Sequence, residues 1–214
     1  YVLEQYIPGD VCHVDSIVYE NDLLFAVASG YGRPPLDVSQ GGDVFTSRIL
    51  PRDGQLAKDL LEMNTKVLKA MRLLRGVSHT EFIHSRADGK VYFLETSARV
   101  GGAHLADMLE AATGLNYWAE WAKLEVAGGD QPYAVFPKRE EYAGILVSLA
   151  KQEKPDLSAY TDPEIVWRME KKHHAGLVVR SPKQDRIESL LESYRDRFHK
   201  DFHAFVPPPE KPHT

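Results

Sequence analysis

Glu81 and Glu95 lie in two short apolar segments that read as the arms of a hairpin, with Arg99 and a Gly101-Gly102 pair beyond the second arm. Along an extended chain, residues two apart share a face. His79, Glu81 and Ile83 then fall on one face of the first arm, and Phe93, Glu95, Ser97 and Arg99 on one face of the second. If those faces coincide, two carboxylates and a guanidinium converge beside two apolar side chains. Two hard oxygen ligands suit Mg²⁺, which binds one or two protein carboxylates together with substrate phosphates. A neighbouring guanidinium can hold a γ-phosphate or a developing acyl phosphate in bidentate fashion. Gly101-Gly102 would let backbone amides approach an anion, and a helix starting near Ala103 would add its N-terminal dipole. The plain alternative is a solvent-facing strand with a surface ion pair of little energetic weight. Against it, the run Val91-Tyr92-Phe93-Leu94 suggests a segment buried on both faces, where a carboxylate such as Glu95 must be paired or metal-bound.

The elements that would position these groups follow from periodicity. Residues 11–19 alternate as Val11, His13, Asp15, Ile17 and Tyr19 against Cys12, Val14, Ser16 and Val18, which reads as a strand. A turn at Asn21-Asp22 and a return strand over 23–29 make an antiparallel meander. Residues 30–54, rich in Gly, Pro, Asp and Ser, read as an irregular loop with short extended pieces. Leu56, Leu60, Met63, Val67, Met71 and Leu74 recur at helical spacing, so residues 55–74 are expected to form a helix closed by Gly76. The hairpin arms are 77–85 and 90–97 around Ala87-Asp88-Gly89, since Asp-Gly between apolar strands favours a hairpin turn. Helices are expected over 103–112 and 117–126, each closed by glycine. Further along come strands at 143–150, 164–170 and 175–179, then a helix over about 183–200. Trp118 and Trp121, three apart on a helix, read as core, and the proline-rich residues 206–214 as a loose tail.

Bulk composition narrows the class. In 214 residues, 31 acidic against 26 basic side chains leave a net charge of −5, with no Lys/Arg run for nucleic-acid binding. The hydrophobic fraction of 43% supports a packed core, and no apolar run is long enough to span a bilayer. Cys12, the one cysteine, has no internal disulfide partner, which fits a reducing, cytoplasmic setting. The sequence leaves the oligomeric state open, a homo-oligomer included.

The segments Gly76-Val77-Ser78-His79-Thr80-Glu81-Phe82 and Phe93-Leu94-Glu95-Thr96-Ser97-Ala98-Arg99-Val100-Gly101-Gly102 resemble the C-terminal lobe of the ATP-grasp superfamily. The resemblance covers residues 1–130. It implies an α+β fold, a largely antiparallel sheet flanked by helices; residues 131–214, which carry no assignable motif, are expected to form a small α+β appendage. By the same resemblance Glu81 and Glu95 would ligate Mg²⁺, with Mn²⁺ as a substitute, and Arg99 would bind phosphate and act in catalysis. Ser97 stands where the family's Glu-x-Asn-x-Arg motif has Asn, and could ligate through its hydroxyl or through water. The opening Leu3-Glu4-Gln5-Tyr6-Ile7-Pro8-Gly9 resembles the family's hinge strand. There Glu4 would hold the ribose of ATP, and Gln5, Tyr6 and Ile7 would face the adenine. His13 would lie near the nucleotide, and Ile83 and Phe93 would wall the base. His79, Gly101, Gly102 and His104 would border the acceptor-substrate site.

The motif spacing is nearest to the dipeptide-forming carboxylate–amine ligases and their biotin-carboxylase-like relatives. The implied reaction joins a small-molecule carboxylate to an amine through an acyl phosphate. A non-catalytic interaction domain of the same fold is the alternative that Ser97 raises, and a biotin-carboxylase-like enzyme is another. Because Tyr1-Val2-Leu3 opens inside an apolar run, the chain reads as cut into an element, with the family's N-terminal domain and lysine-bearing small lobe expected before it. On its own it is expected to bind ATP weakly and to catalyse nothing.

Overall fold

The computed structural model describes residues 3–129 and 131–204. The expected proline-rich tail and the first two residues lie outside that range. β1 (Gly9–Tyr19) and β2 (Asp22–Tyr31) form a long antiparallel hairpin whose end pair is Tyr19 with Asp22. The two turn residues are Glu20 and Asn21, both at positive φ (50° and 66°). That backbone matches the two-residue turns whose twist suits a hairpin, and it places the turn one residue earlier than expected.

Residues 30–54 are more ordered than their composition suggests. They hold a short helix, α1 (Pro35–Gly41), and a strand, β3 (Phe45–Ile49). β3 pairs with β2 on one side and, through Phe45–Arg48, with β6 (Tyr142–Leu149) on the other. The helix α2 (Gln55–Ala70) ends four residues before the expected stop, where Arg72 turns to a φ of 56°. Met71 and Leu74, at the end of the sequence stripe, are consequently exposed. The acidic hairpin is β4 (Gly76–Ser85) and β5 (Val91–Ser97), followed by α3 (Leu105–Thr113) and α4 (Tyr117–Ala127). After β6 come β7 (Ile165–Arg168), β8 (His174–Ser181) and α5 (Gln184–Asp201).

All eight strands form one antiparallel sheet in the order β5-β4-β1-β2-β3-β6-β8-β7. Residues 142–181 therefore continue the sheet through the β3–β6 pairing. One face carries Val11, Ile17, Val27, Tyr31, Ile49, Val77, Ile145 and Val178, packed under α3 and α4. The other face is covered by α2 over Cys12, Val14, Ala28 and Phe82, and by α5 over Leu146, Leu177 and Val179. Trp118 departs from the expected core position: it is exposed on α4 and stacks with Trp121 at 6.1 Å. α4 buries Tyr117, Glu120 and Leu124 instead. Among the described residues, no helix is long and apolar enough to cross a membrane.

Candidate active site

Register sets the site. Glu81 on β4 is the direct partner of Glu95 on β5, and His79 is the partner of Ser97. On the other side of β4, Glu81 faces His13 and His79 faces Asp15 of β1. Paired residues share a face, so a row of His13, Glu81 and Glu95 and a row of Asp15, His79 and Ser97 lie side by side on the α3–α4 face of the sheet. On that face α4 packs against β1 and β4, and α3 against β6 and β8.

Beneath the carboxylates runs a buried polar chain. His13 Nε2 bonds Ser47 Oγ at 2.8 Å, and its Nδ1 bonds Asp15 Oδ2 at 2.7 Å. The second Asp15 oxygen, Oδ1, meets His79 Nδ1 at 2.8 Å. Tyr31 OH donates to Glu81 Oε1 at 2.6 Å, and His79 Nε2 lies 3.4 Å from the same oxygen. The backbone carbonyl of Asp15 accepts from Tyr117 OH at 3.2 Å. His13 and Asp15 are 0% and 1% exposed, so this is charge held inside the protein.

The electrostatics follow from burial and pairing. Burial alone would raise the Asp15 carboxyl, but the His13 and His79 imidazoles outweigh it and hold it well below the usual carboxylate range. Burial pulls His79 down, yet its bonds to Asp15 and Glu81 prevail and lift it to about 9. Glu81 is likewise pushed up by burial and brought below its ordinary value by His79 and Tyr31. Burial, then the Glu81 charge, raises the Tyr31 phenol far above its usual range, so it remains a donor. At neutral pH Glu81 is thus an anion fixed through one oxygen.

Several expected site residues are placed differently. Glu95 is exposed, because β5 is an edge strand and its apolar run is covered on one side only. A bulge between Glu81 and Phe82 pairs Phe82 with Phe93 and leaves Leu94 as the extra residue. Phe93 is therefore turned to the α2 face, its ring edge-on to Phe82 at 6.3 Å, while Leu94 packs toward the Glu95 face. Tyr92, not Phe93, stands opposite Ile83. Residues 3–8 form no strand, and Glu4, Gln5 and Tyr6 are exposed with Ile7 half-buried. Pro8 O accepts from Arg86 N at 3.1 Å, but the segment runs past the last pairs of β1, Gly9 with Ser85 and Cys12 with Gly30, so no strand among the described residues bonds residues 3–7. His13 lies beneath the site, with both ring nitrogens engaged and no exposed surface.

Arg99 is exposed, and its Nη1 donates to Val100 O at 2.9 Å. His104 caps the start of α3 at a φ of 60°, bonds Asp107 at 3.0 Å and lies tilted against the Trp167 ring at 4.9 Å. The glycines divide: nothing lies within 4 Å of a Cβ placed on Gly102, whereas one on Gly101 would come within 3.0 Å of Asp15 Oδ1 and His79 Nδ1. Gly101 is there because the Asp15–His79 bond leaves no room for a side chain.

Asp15, Tyr31 and Ser47 complete the site and were not singled out from sequence. The signal for Asp15 was present, since it alternates with His13 between Val11 and Ile17 on a face that must be core. Tyr31 carried no local signal. His13, Asp15 and His79 are close enough to hold a metal ion, but their facing atoms are already hydrogen-bonded to one another. The carboxylates suit Mg²⁺ better: an all-oxygen pair, ionised at Glu81, with Oε2 of Glu81 engaged by neither Tyr31 nor His79. A cavity of about 510 Å³ lies elsewhere, between β2, α2 and residues 137–140, and neither glutamate lines it.

The fold is that of the C-terminal lobe of the ATP-grasp enzymes. Over 125 residues the chain is 25% identical to an L-arginine-specific L-amino acid ligase of Bacillus subtilis, covering 58% of this chain and 30% of that protein. The L-amino acid ligase of Bacillus licheniformis superposes with a TM-score of 0.66 at 13% identity, covering 94% of this chain and 53% of that one. Carboxyaminoimidazole ribonucleotide synthase of Aspergillus clavatus, solved with ATP, gives 0.67 at 12% identity, covering 92% and 52%. The chain thus spans about half of these solved chains and under a third of the curated relative. No family model matches it.

Proposed function

We propose that this chain is the metal- and phosphate-binding wall of an ATP- and Mg²⁺-dependent ligase that joins a small-molecule carboxylate to an amine through an acyl phosphate. The observation that carries the reading is the in-register opposition of Glu81 and Glu95, with Glu81 ionised and anchored from below. The likeness to two L-amino acid ligases supports the carboxylate–amine class.

In this reading Glu81 and Glu95 hold Mg²⁺, with Mn²⁺ able to replace it, and Ser97 completes the set. When bound, the metal neutralises charge on the γ-phosphate. Arg99, exposed beyond β5, swings to the transferring phosphoryl group and holds it by its guanidinium. Gly102, open on its side-chain side, lets backbone amides approach the anion. Residues 4–7 pair with the adenine edge and Glu4 takes the ribose once a neighbouring segment gives them a partner. Ile83 lines the base, with Tyr92 rather than Phe93 beside it. His104 borders the acceptor site. The catalytic work of these groups is positioning and charge stabilisation.

The ATP site needs further lobes of the same protein, so residues 1–130 serve as one wall and 131–214 as its continuation. The 214-residue chain alone binds Mg-ATP weakly and is inactive; calorimetry giving micromolar affinity would contradict this. A cytoplasmic location and small-molecule partners follow from the same reading. A non-catalytic role is favoured only by Ser97 in place of Asn. Glu95→Gln in the enzyme carrying this chain is expected to abolish Mg²⁺-dependent ADP release, and retained turnover would defeat the assignment.

A further inference from the structure

The Glu81 carboxylate is held asymmetrically. Tyr31 OH donates to Oε1 at 2.6 Å, and His79 Nε2 approaches that same oxygen at 3.4 Å, while neither touches Oε2. Both clamping groups are themselves fixed. The Tyr31 ring lies 4.7 Å from that of His13 and 5.5 Å from that of Phe45. His79 is tied at 2.8 Å to Asp15, which in turn holds His13, and His13 holds Ser47. The clamp is thereby anchored on β1, β2, β3 and β4, four neighbouring strands of the rigid sheet.

We propose that Tyr31 is a positioning residue that caps Oε1 of Glu81, so that this carboxylate offers a divalent cation one oxygen and the site prefers Mg²⁺ to Ca²⁺. The inference rests on the reading of Glu81 as a metal ligand. Mg²⁺ takes an octahedral set at short distances, to which a carboxylate gives one oxygen, whereas Ca²⁺ accepts six to eight oxygens and often a bidentate carboxylate. A phenol hydrogen on Oε1 competes directly with a bidentate contact. It also fixes the direction in which Oε2 points, and such outer partners are worth about 10- to 100-fold in metal affinity. A buried hydroxyl serving only its own hydrogen bond would affect stability without altering the choice of cation.

The test uses the enzyme carrying this chain with a non-hydrolysable ATP analogue, against a control of analogue without protein, following protein-bound Mn²⁺ by electron paramagnetic resonance and displacing it with Mg²⁺ or Ca²⁺. Melting temperatures are recorded in parallel. Tyr31→Phe is expected to weaken Mg²⁺ by about tenfold or more and to narrow the Mg²⁺/Ca²⁺ affinity ratio by a similar factor. Glu81→Gln is expected to remove the Mn²⁺ signal change. If Glu81→Gln removes it and Tyr31→Phe leaves the ratio unchanged, the positioning role is overturned while the proposed function stands. If Glu81→Gln has no effect, the metal reading fails and the inference with it. Should Tyr31→Phe fail to fold, His79→Gln, which removes the second contact to Oε1, must narrow the ratio in the same sense; an unchanged ratio there also overturns the proposal.

Discussion

The two ends of the sheet are built on opposite principles. At the β6–β8 end, Leu146, Leu177 and Val179 are sealed by Ile187, Leu190, Leu191, Tyr194 and Phe198 of α5, while Ala143, Ile145 and Val178 pack on the opposite face, against α3. Its charges stay near the surface, where Arg186 joins Asp162 and Glu164. At the β1–β4 end, equally buried positions hold His13, Asp15, Ser29 and His79. Burying ion pairs is rarely the most stabilising way to fill a core, because desolvation offsets much of the attraction. The β6–β8 end shows that this chain can build an apolar sheet face. In the proposed reading the polar end serves the Glu81 carboxylate directly above it rather than stability.

Three substitutions and one condition probe that contrast in descending order of effect, with Gly102→Ala as a control. Phe198→Ala, in the aromatic cluster with Tyr160 and Phe202, should cost about 3–5 kcal/mol. It should lower the melting temperature sharply and leave Mn²⁺ affinity of the folded chain unchanged. Asp15→Asn removes the shared partner of two imidazoles and should cost on the order of 3 kcal/mol, while also weakening Mn²⁺ binding through His79 and Glu81. A polar end that tolerated this change with no loss of metal would erase the contrast.

Gly101→Ala drives a methyl against the Asp15–His79 bond and should cost about 1–3 kcal/mol in a denaturant melt. Gly102→Ala should be nearly silent by the same measurement. The smallest effect is the pH dependence. His79 titrates higher folded than unfolded, so its stabilisation is complete below pH about 6.5 and is lost as pH rises through about 9. Asp15 has the opposite sign: its contribution is present above pH about 4 and is lost as acid protonates it. The difference in melting temperature between the wild type and Asp15→Asn should thus be largest between pH about 4 and about 6.5 and shrink on either side.

The sequence made the carboxylate pair legible because the β4–β5 hairpin carries its own turn signal and a period of two. It misled at Phe93, because a bulge adds a residue that periodicity cannot register, and everything before it changes face. It misled at Glu95, because apolar runs do not announce which strand will be an edge. β3 was missed since Phe45-Thr46-Ser47-Arg48-Ile49 is short and weakly apolar, and its place is fixed by pairing with β2 and β6, distant in sequence. Tyr31 and Ser47 were illegible for the same reason: each joins the site through partners on other strands. The residues 3–8 matched a motif whose strand requires a neighbour that the described residues do not provide.

The central claim is that metal and nucleotide bind at the Glu81–Glu95 pair and not at the apolar end of the sheet. Paramagnetic broadening of amide resonances by substoichiometric Mn²⁺ with an ATP analogue tests it most directly. Broadening should centre on Glu81, Glu95 and Ser97, and α5 amides should be untouched. Broadening spread evenly over both ends, or centred on the surface acids Asp162 and Glu164, would contradict the account.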